Sequence, residues 1–162
     1  MKTLYIVRHA KSSWDDPDLD DFERPLSGRG KKNAPEMGQR LYKMGVAPDL
    51  IISSSANRAY ATAQKIAKEI NYNKEDIVKK KDLYLASIGT SISIIRQVDN
   101  NHNSIMIFGH NPGWTDLSNY LTDAYIDNVP TCGVVAIQFD IDQWTEVDKE
   151  KGKLMFFEYP KK

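Results

Sequence analysis

Two periods of apolar residues alternate along the chain. Thr3–Val7, Asp49–Ser53 and Ser104–Phe108 are short runs of Leu, Ile, Val, Met and Phe bounded by polar residues, and each reads as a strand. Between them the spacing becomes helical. Ala34, Met37, Leu41 and Met44 predict a helix from Gly28 or Arg29 to Met44, capped by Ser27 and stopped by Gly45. Pro35 inside that span predicts a ragged first turn or a broken start. Asn57–Ile70, Ile88–Val98 and Gly113–Leu121 read as further helices, and Asp76–Lys79 as a short strand. Gly133–Phe139 and Lys153–Tyr159 are the last strands, joined by a polar connection that would suit a hairpin. The early strand–helix alternation predicts an α/β fold with a mainly parallel sheet and helices on both faces. No linker or composition shift divides the chain, so residues 1–162 are expected to form a single domain.

Composition narrows the function classes. The 22 basic and 22 acidic residues cancel, which argues against a whole-molecule field for nucleic acid or anionic lipid. No apolar run approaches the roughly 18 residues of a membrane span. Leu4-Tyr5-Ile6-Val7 is too short for a signal-peptide core. The single cysteine, Cys132, excludes an internal disulfide and reads as a small buried residue. A reducing, cytoplasmic setting is therefore expected.

The chemistry sits where strands end. Thr3–Val7 runs into Arg8-His9-Ala10, Asp49–Ser53 into Ser54-Ser55-Ala56-Asn57-Arg58, and Ser104–Phe108 into Gly109-His110-Asn111-Pro112-Gly113. In an open parallel sheet the carboxyl ends of the strands share one rim, where ligands bind. Two arginines and two histidines distant in sequence are thus predicted to meet. Arg58 lies in the first turn of its helix, where the macrodipole disfavours a cation unless an anion joins it. Arg8 and His9 can share a pocket only if the strand ends there, since adjacent strand residues point to opposite faces. Such a site suits a tetrahedral oxyanion, phosphate above all.

Rival chemistries fail on spacing. A cysteine phosphatase needs an arginine six positions after its cysteine, where this chain has Gln138. Around Gly30-Lys31 a phosphate-binding P-loop would need glycine at Pro25 and a hydroxyl at Lys32. Asp16, Asp18 and Asp20 lack the glycine of a calcium loop, with Asp21 in its place. Asp140-Ile141-Asp142 continues Gln143-Trp144, a poor aspartyl-phosphate motif. Three scattered histidines and one cysteine supply no zinc cluster, and no other cofactor is expected. His102 reads as a surface or capping residue. The acidic stretch 15–21 reads as a solvated loop, or as a rim that attracts basic substrates or supplies a carboxylate.

Arg8-His9-Ala10, the block from Ser53 to Ala63 and Gly109-His110-Asn111-Pro112 resemble the motifs of the histidine phosphatase superfamily. The segments Leu4–Trp14 and Arg24-Pro25-Leu26-Ser27-Gly28-Arg29-Gly30 are similar to its SixA-type phosphohistidine phosphatase branch. The resemblance implies a three-layer α/β/α sandwich, mainly parallel with one antiparallel strand. It implies His9 as nucleophile and Arg8, Arg58 and His110 as phosphoryl ligands, without metal. Asn111, in the second histidine motif, is a further candidate phosphate ligand. The implied substrates are proteins carrying phosphohistidine, with small phosphorylated molecules as an alternative.

Two departures stand out. Ala56 replaces the usual proline. Many members carry an acid near Leu83-Tyr84-Leu85-Ala86-Ser87, where this chain has no carboxylate; Asp82, Asp15, Asp16 and Asp18 are the candidate substitutes. Three readings follow: a phosphatase working through a phosphohistidine intermediate, a phosphatase of small phosphate esters with one of those aspartates as acid, or a non-catalytic phosphoryl-binding module. In the first, the free ring nitrogen of His9 attacks while the other donates to a backbone carbonyl. The two arginines should hold His9 neutral. His110 either donates to the phosphoryl group or assists water.

Overall fold

The computed structural model describes residues 1–162. In chain order the elements are β1 (Lys2–Arg8), α1 (Gly28–Lys43), β2 (Leu50–Ser54), α2 (Asn57–Glu69), β3 (Val78–Lys80), α3 (Ile88–Arg96), β4 (Ser104–Gly109), α4 (Gly113–Leu121), β5 (Val134–Phe139) and β6 (Gly152–Glu158). The six strands form one sheet in the order β3-β2-β4-β1-β5-β6. β3, β2, β4 and β1 are mutually parallel, while β5 runs against both of its neighbours. β5 is therefore the one reversed strand in an otherwise parallel sheet.

Strand alternation builds two cores. Leu4 and Ile6 of β1, and Ile105 and Ile107 of β4, face α3 and α4 with Trp114 and Leu117. Val7, Met106 and Phe108 face the other way, against Met37 and Leu41 of α1 and Ile66 of α2. Each fully buried Leu, Ile or Phe contributes about 1.5–3 kcal/mol. Two such cores, one on each face, clamp the central strands and hold the rim at their ends in place. No helix is long and apolar enough to cross a membrane.

Ser27 caps α1 by accepting from the Gly30 amide, and Gly45, at φ +80°, follows its end. Pro35 differs from the expectation. It sits in the second turn of an uninterrupted helix rather than at a ragged start. The helix gives up one backbone hydrogen bond there, because proline has no N–H. Gly30 is needed because a Cβ would strike the Lys11 carbonyl, which also accepts from the Ser27 amide (2.8 Å) and hydroxyl (3.1 Å). The stretch leaving β1 is thus pinned onto the start of α1. β5 and β6 pair as expected, although their connection carries a short helical turn that buries Trp144. His102 is half-buried, and its carbonyl accepts from Lys2 Nζ and Trp144 Nε1.

Candidate active site

Register brings the two histidines together. β1 and β4 pair in parallel with Arg8 opposite Gly109, so the next residue of each strand, His9 and His110, leaves the sheet beside the other. The His9 amide still donates to Gly109 O (3.1 Å), and the two rings lie 5.3 Å apart between centroids. The strand then ends. The amide of Cys132, at φ +62°, donates to both Arg8 O and His9 O, and the Ala10 amide turns aside to Thr62 Oγ1 (2.9 Å). This break satisfies the condition for Arg8 and His9 to line one cleft. The cleft holds about 390 Å³ and is lined by Arg8, His9, Arg24, Arg58, His110 and Asn111 among others.

Each imidazole is held through a different nitrogen. His9 Nδ1 lies 2.7 Å from Ala10 O, so a neutral ring carries its proton there and leaves Nε2 as the lone-pair nitrogen. Burial pushes the His9 pKa down to about 4, outweighing the hydrogen bond to Ala10; the charges of Arg58, Arg8 and Arg24 lower it further. The arginines were the expected cause, but desolvation is the larger one. His110 is fixed at Nε2, 2.8 Å from Ser54 Oγ. Its Nδ1 is buried without a partner. Burial, followed by the charges of His9 and Arg58, lowers its pKa to about 3.

The arginines are also tied. Arg58 Nε donates towards His9 Nε2 (3.4 Å), while its two terminal nitrogens donate to Asp21 O (2.6 Å) and Asp21 Oδ2 (2.9 Å). Arg24 donates to Asp21 Oδ1 (3.0 Å), Ser13 O (3.1 Å) and Ser12 Oγ (2.5 Å), with Trp14 stacked on its guanidinium. Arg8 donates to Val129 O (3.1 Å), and its Nε is buried and free. Thr62 links the two halves of the site: its hydroxyl donates to Arg58 O (2.7 Å) and accepts from the Ala10 amide.

Asp21, with Tyr84 and Ser54, escaped the sequence reading. Asp21 binds the most cations of the three. It lies at the end of the acidic stretch and meets Arg58, Arg24 and the Tyr84 hydroxyl. Burial alone would raise its pKa, but hydrogen bonds from Tyr84, Arg24 and Arg58 hold it well below the usual carboxylate range. It is an anion that orients cations, not a proton donor. Asp82, Asp15, Asp16 and Asp18 are exposed and do not line the cleft, and Leu85 stands at its mouth instead. Asn111 lines the cleft, but its amide nitrogen already donates to Asn128 Oδ1 and Val129 O. Its carbonyl accepts from the Thr115 amide and hydroxyl. No three His, Cys, Asp or Glu side chains cluster as metal ligands.

A mostly parallel sheet whose central strands end at a cleft lined by two imidazoles and three arginines defines a phosphoryl-handling class of α/β protein. The chain belongs to the histidine phosphatase superfamily (branch 1), whose family model matches residues 4–90, and is a phosphatase of that superfamily with a SixA-like fold. It is 30% identical over 153 residues to an uncharacterised chloroplastic protein of Arabidopsis thaliana, covering 90% of this chain and 70% of that one. A candidate phosphohistidine phosphatase SixA from Agrobacterium tumefaciens superposes with a TM-score of 0.80 at 28% identity, covering 98% of both chains. The protein histidine phosphatase SixA complexed with tungstate shares the fold, with a TM-score of 0.84 at 18% identity over 98% of this chain and 97% of that one.

Proposed function

We propose that the protein removes phosphoryl groups from phosphohistidine in proteins, through a covalent intermediate on His9. One observation carries this reading: His9 is buried and neutral, its Nδ1 proton is committed to Ala10 O, and its Nε2 lies beside the Arg58 guanidinium. Binding alone needs no nucleophile in that position, which disfavours a merely phosphoryl-binding module.

Nε2 of His9 attacks phosphorus in line as the P–N bond to the substrate imidazole breaks. Arg8 and Arg58 take the equatorial oxygens, and such preorganised charge is the main protein contribution to phosphoryl transfer. The free Nε of Arg8 is available for one of them. His110 contributes a hydrogen bond. Ser54 Oγ already accepts from the Ala56 amide (3.2 Å) and can donate to His110 Nε2, which places the ring proton on the unpartnered Nδ1. The phosphorylated His9 keeps its Nδ1 proton, so it is a cationic, good leaving group. Water then attacks phosphorus, the P–N bond to His9 breaks, and phosphate leaves with neutral His9 restored. Asn111 positions the loop that carries His110 rather than binding phosphate. No metal enters any step.

The leaving group decides the substrate class. A positioned general acid typically contributes about 10²–10⁴-fold. The cleft offers no protonated carboxyl, since Asp21 is ionised and Leu85 occupies the mouth. An alkyl phosphate must then expel an alkoxide, whereas phosphohistidine protonated on its ring expels neutral imidazole. In a panel at fixed pH, kcat/KM should fall in the order phosphohistidine, activated aryl phosphate, alkyl phosphate. Chelators should leave all three rates unchanged. Equal rates on alkyl and activated aryl phosphates, with chemistry rate-limiting, would mean that an acid operates and that small esters are the substrates.

A further inference from the structure

A second cleft of about 660 Å³ adjoins the phosphoryl pocket and shares Lys11 and Thr131 with it. Its cations come from three segments: Lys11 after β1, Arg29 and Lys32 at the start of α1, and Lys161 near the C-terminus. Glu36 is its one acidic residue. None of the four cations forms an ion pair. The walls are nonetheless fixed. Arg40 ties down the last segment through Tyr159 O and Pro160 O, and Lys11 O is pinned to Ser27. The first turn of α1 carries no acidic residue, so Arg29 opposes the helix dipole there without local compensation. A local choice that costs stability marks a functional surface.

The manner in which the charges are held identifies the occupant. In the phosphoryl pocket Arg58 and Arg24 are 4% and 6% exposed and locked by hydrogen bonds, as a discrete phosphate requires. The four cations of the second cleft are exposed on long side chains with no fixed partner. That arrangement suits several adaptable carboxylates rather than one oriented phosphate, and its attraction is diffuse and salt-sensitive. We infer that this cleft binds acidic side chains flanking the phosphohistidine of a protein substrate, an assignment that rests on the phosphohistidine reading for what occupies the neighbouring pocket.

The test uses two fluorescein-labelled peptides with the same phosphohistidine core, flanked by Glu in one and by Gln in the other. Binding is read by anisotropy on the full-length His9→Ala protein, which cannot turn them over. The Glu peptide should bind about tenfold tighter, the scale of several exposed ion pairs acting together. The preference should shrink as ionic strength rises from about 0.01 M to about 0.15 M and the Debye length falls from about 30 Å to about 8 Å. Adding Arg29→Glu and Lys32→Glu should abolish it. The Arg29→Glu change places an acid in the first turn of α1, where the dipole favours it, and Lys32 is exposed, so the helix should stay folded. In a His9-containing protein the two changes should leave aryl phosphate turnover unchanged, and Arg29→Gln with Lys32→Gln gives a milder second variant. Equal binding of the two peptides, or a preference that survives both double variants, overturns the inference. If wild type releases no phosphate from either peptide but the charge-dependent preference persists, the cleft assignment stands and the phosphohistidine reading falls. If phosphate is released equally from both and no preference exists, the reading stands and the cleft assignment falls.

Discussion

The ends of β1 and β4 begin from the same instruction, an apolar strand followed by histidine, and finish differently. After β1 the chain leaves as a loop, and His9 is held by the carbonyl of its own neighbour through Nδ1. After β4 the chain enters α4, and His110 is held across the sheet by Ser54 through Nε2. Opposite nitrogens are therefore left for chemistry. In the proposed mechanism, two residues of one type, side by side in one cleft, take the roles of nucleophile and donor from their hydrogen-bond partners rather than from their position in a motif.

Several substitutions probe that division. His9→Ala should remove measurable turnover while the protein stays folded. Arg58→Ala should follow at about 10²–10³-fold, the scale of losing one preorganised oxyanion donor. A loss below about threefold would displace Arg58 from the reaction. His110→Ala should cost about 10²-fold, whereas Ser54→Ala, which only frees the His110 ring, should cost about tenfold and fall on kcat rather than KM. A Ser54→Ala effect equal to that of His110→Ala would show that the serine contacts substrate directly.

Acidity sharpens the same contrast. Both imidazoles have pKa values lowered below the ordinary 6.5, to about 4 for His9 and about 3 for His110. The unfolded chain then binds more protons than the native one from about pH 6.5 down to about pH 3, so stability should fall as the pH drops through that window, and the depressed pKa of Asp21 carries the loss further into acid. The acid limb of kcat/KM should lie near pH 4, where free His9 gains its proton. A limb near 6.5 would place the nucleophile in a solvated setting at odds with its burial.

The sequence made the sheet legible because strands and helices leave periodic marks. Ile105 and Ile107 alternate with Met106 and Phe108, and Gly113–Leu121 matches the observed helix end to end. The strand-end histidines and arginines were legible for the same reason, since each motif follows a periodic run. Asp21 was not. It belongs to an irregular stretch among four other aspartates, and only folding brings it to Arg58, which lies on α2. Its one local mark is the three-residue spacing to Arg24, the partner in an ion pair across a short helical turn. Tyr84 and Ser54 escaped likewise, because a hydroxyl gains its role from a neighbour across the sheet or across a loop. The bonds of the Asn111 amide were not legible, because its partners Asn128 and Val129 lie on a later loop.

The central claim is covalent. Rapid acid-free quenching during turnover, followed by mass spectrometry and NMR of the isolated peptide, locates any phosphoryl group and the nitrogen that carries it. The account predicts one phosphoryl group on His9 at Nε2, acid-labile, and absent from His9→Ala. Phosphate on Nδ1 of His9, on His110, or on no residue while turnover proceeds would contradict it.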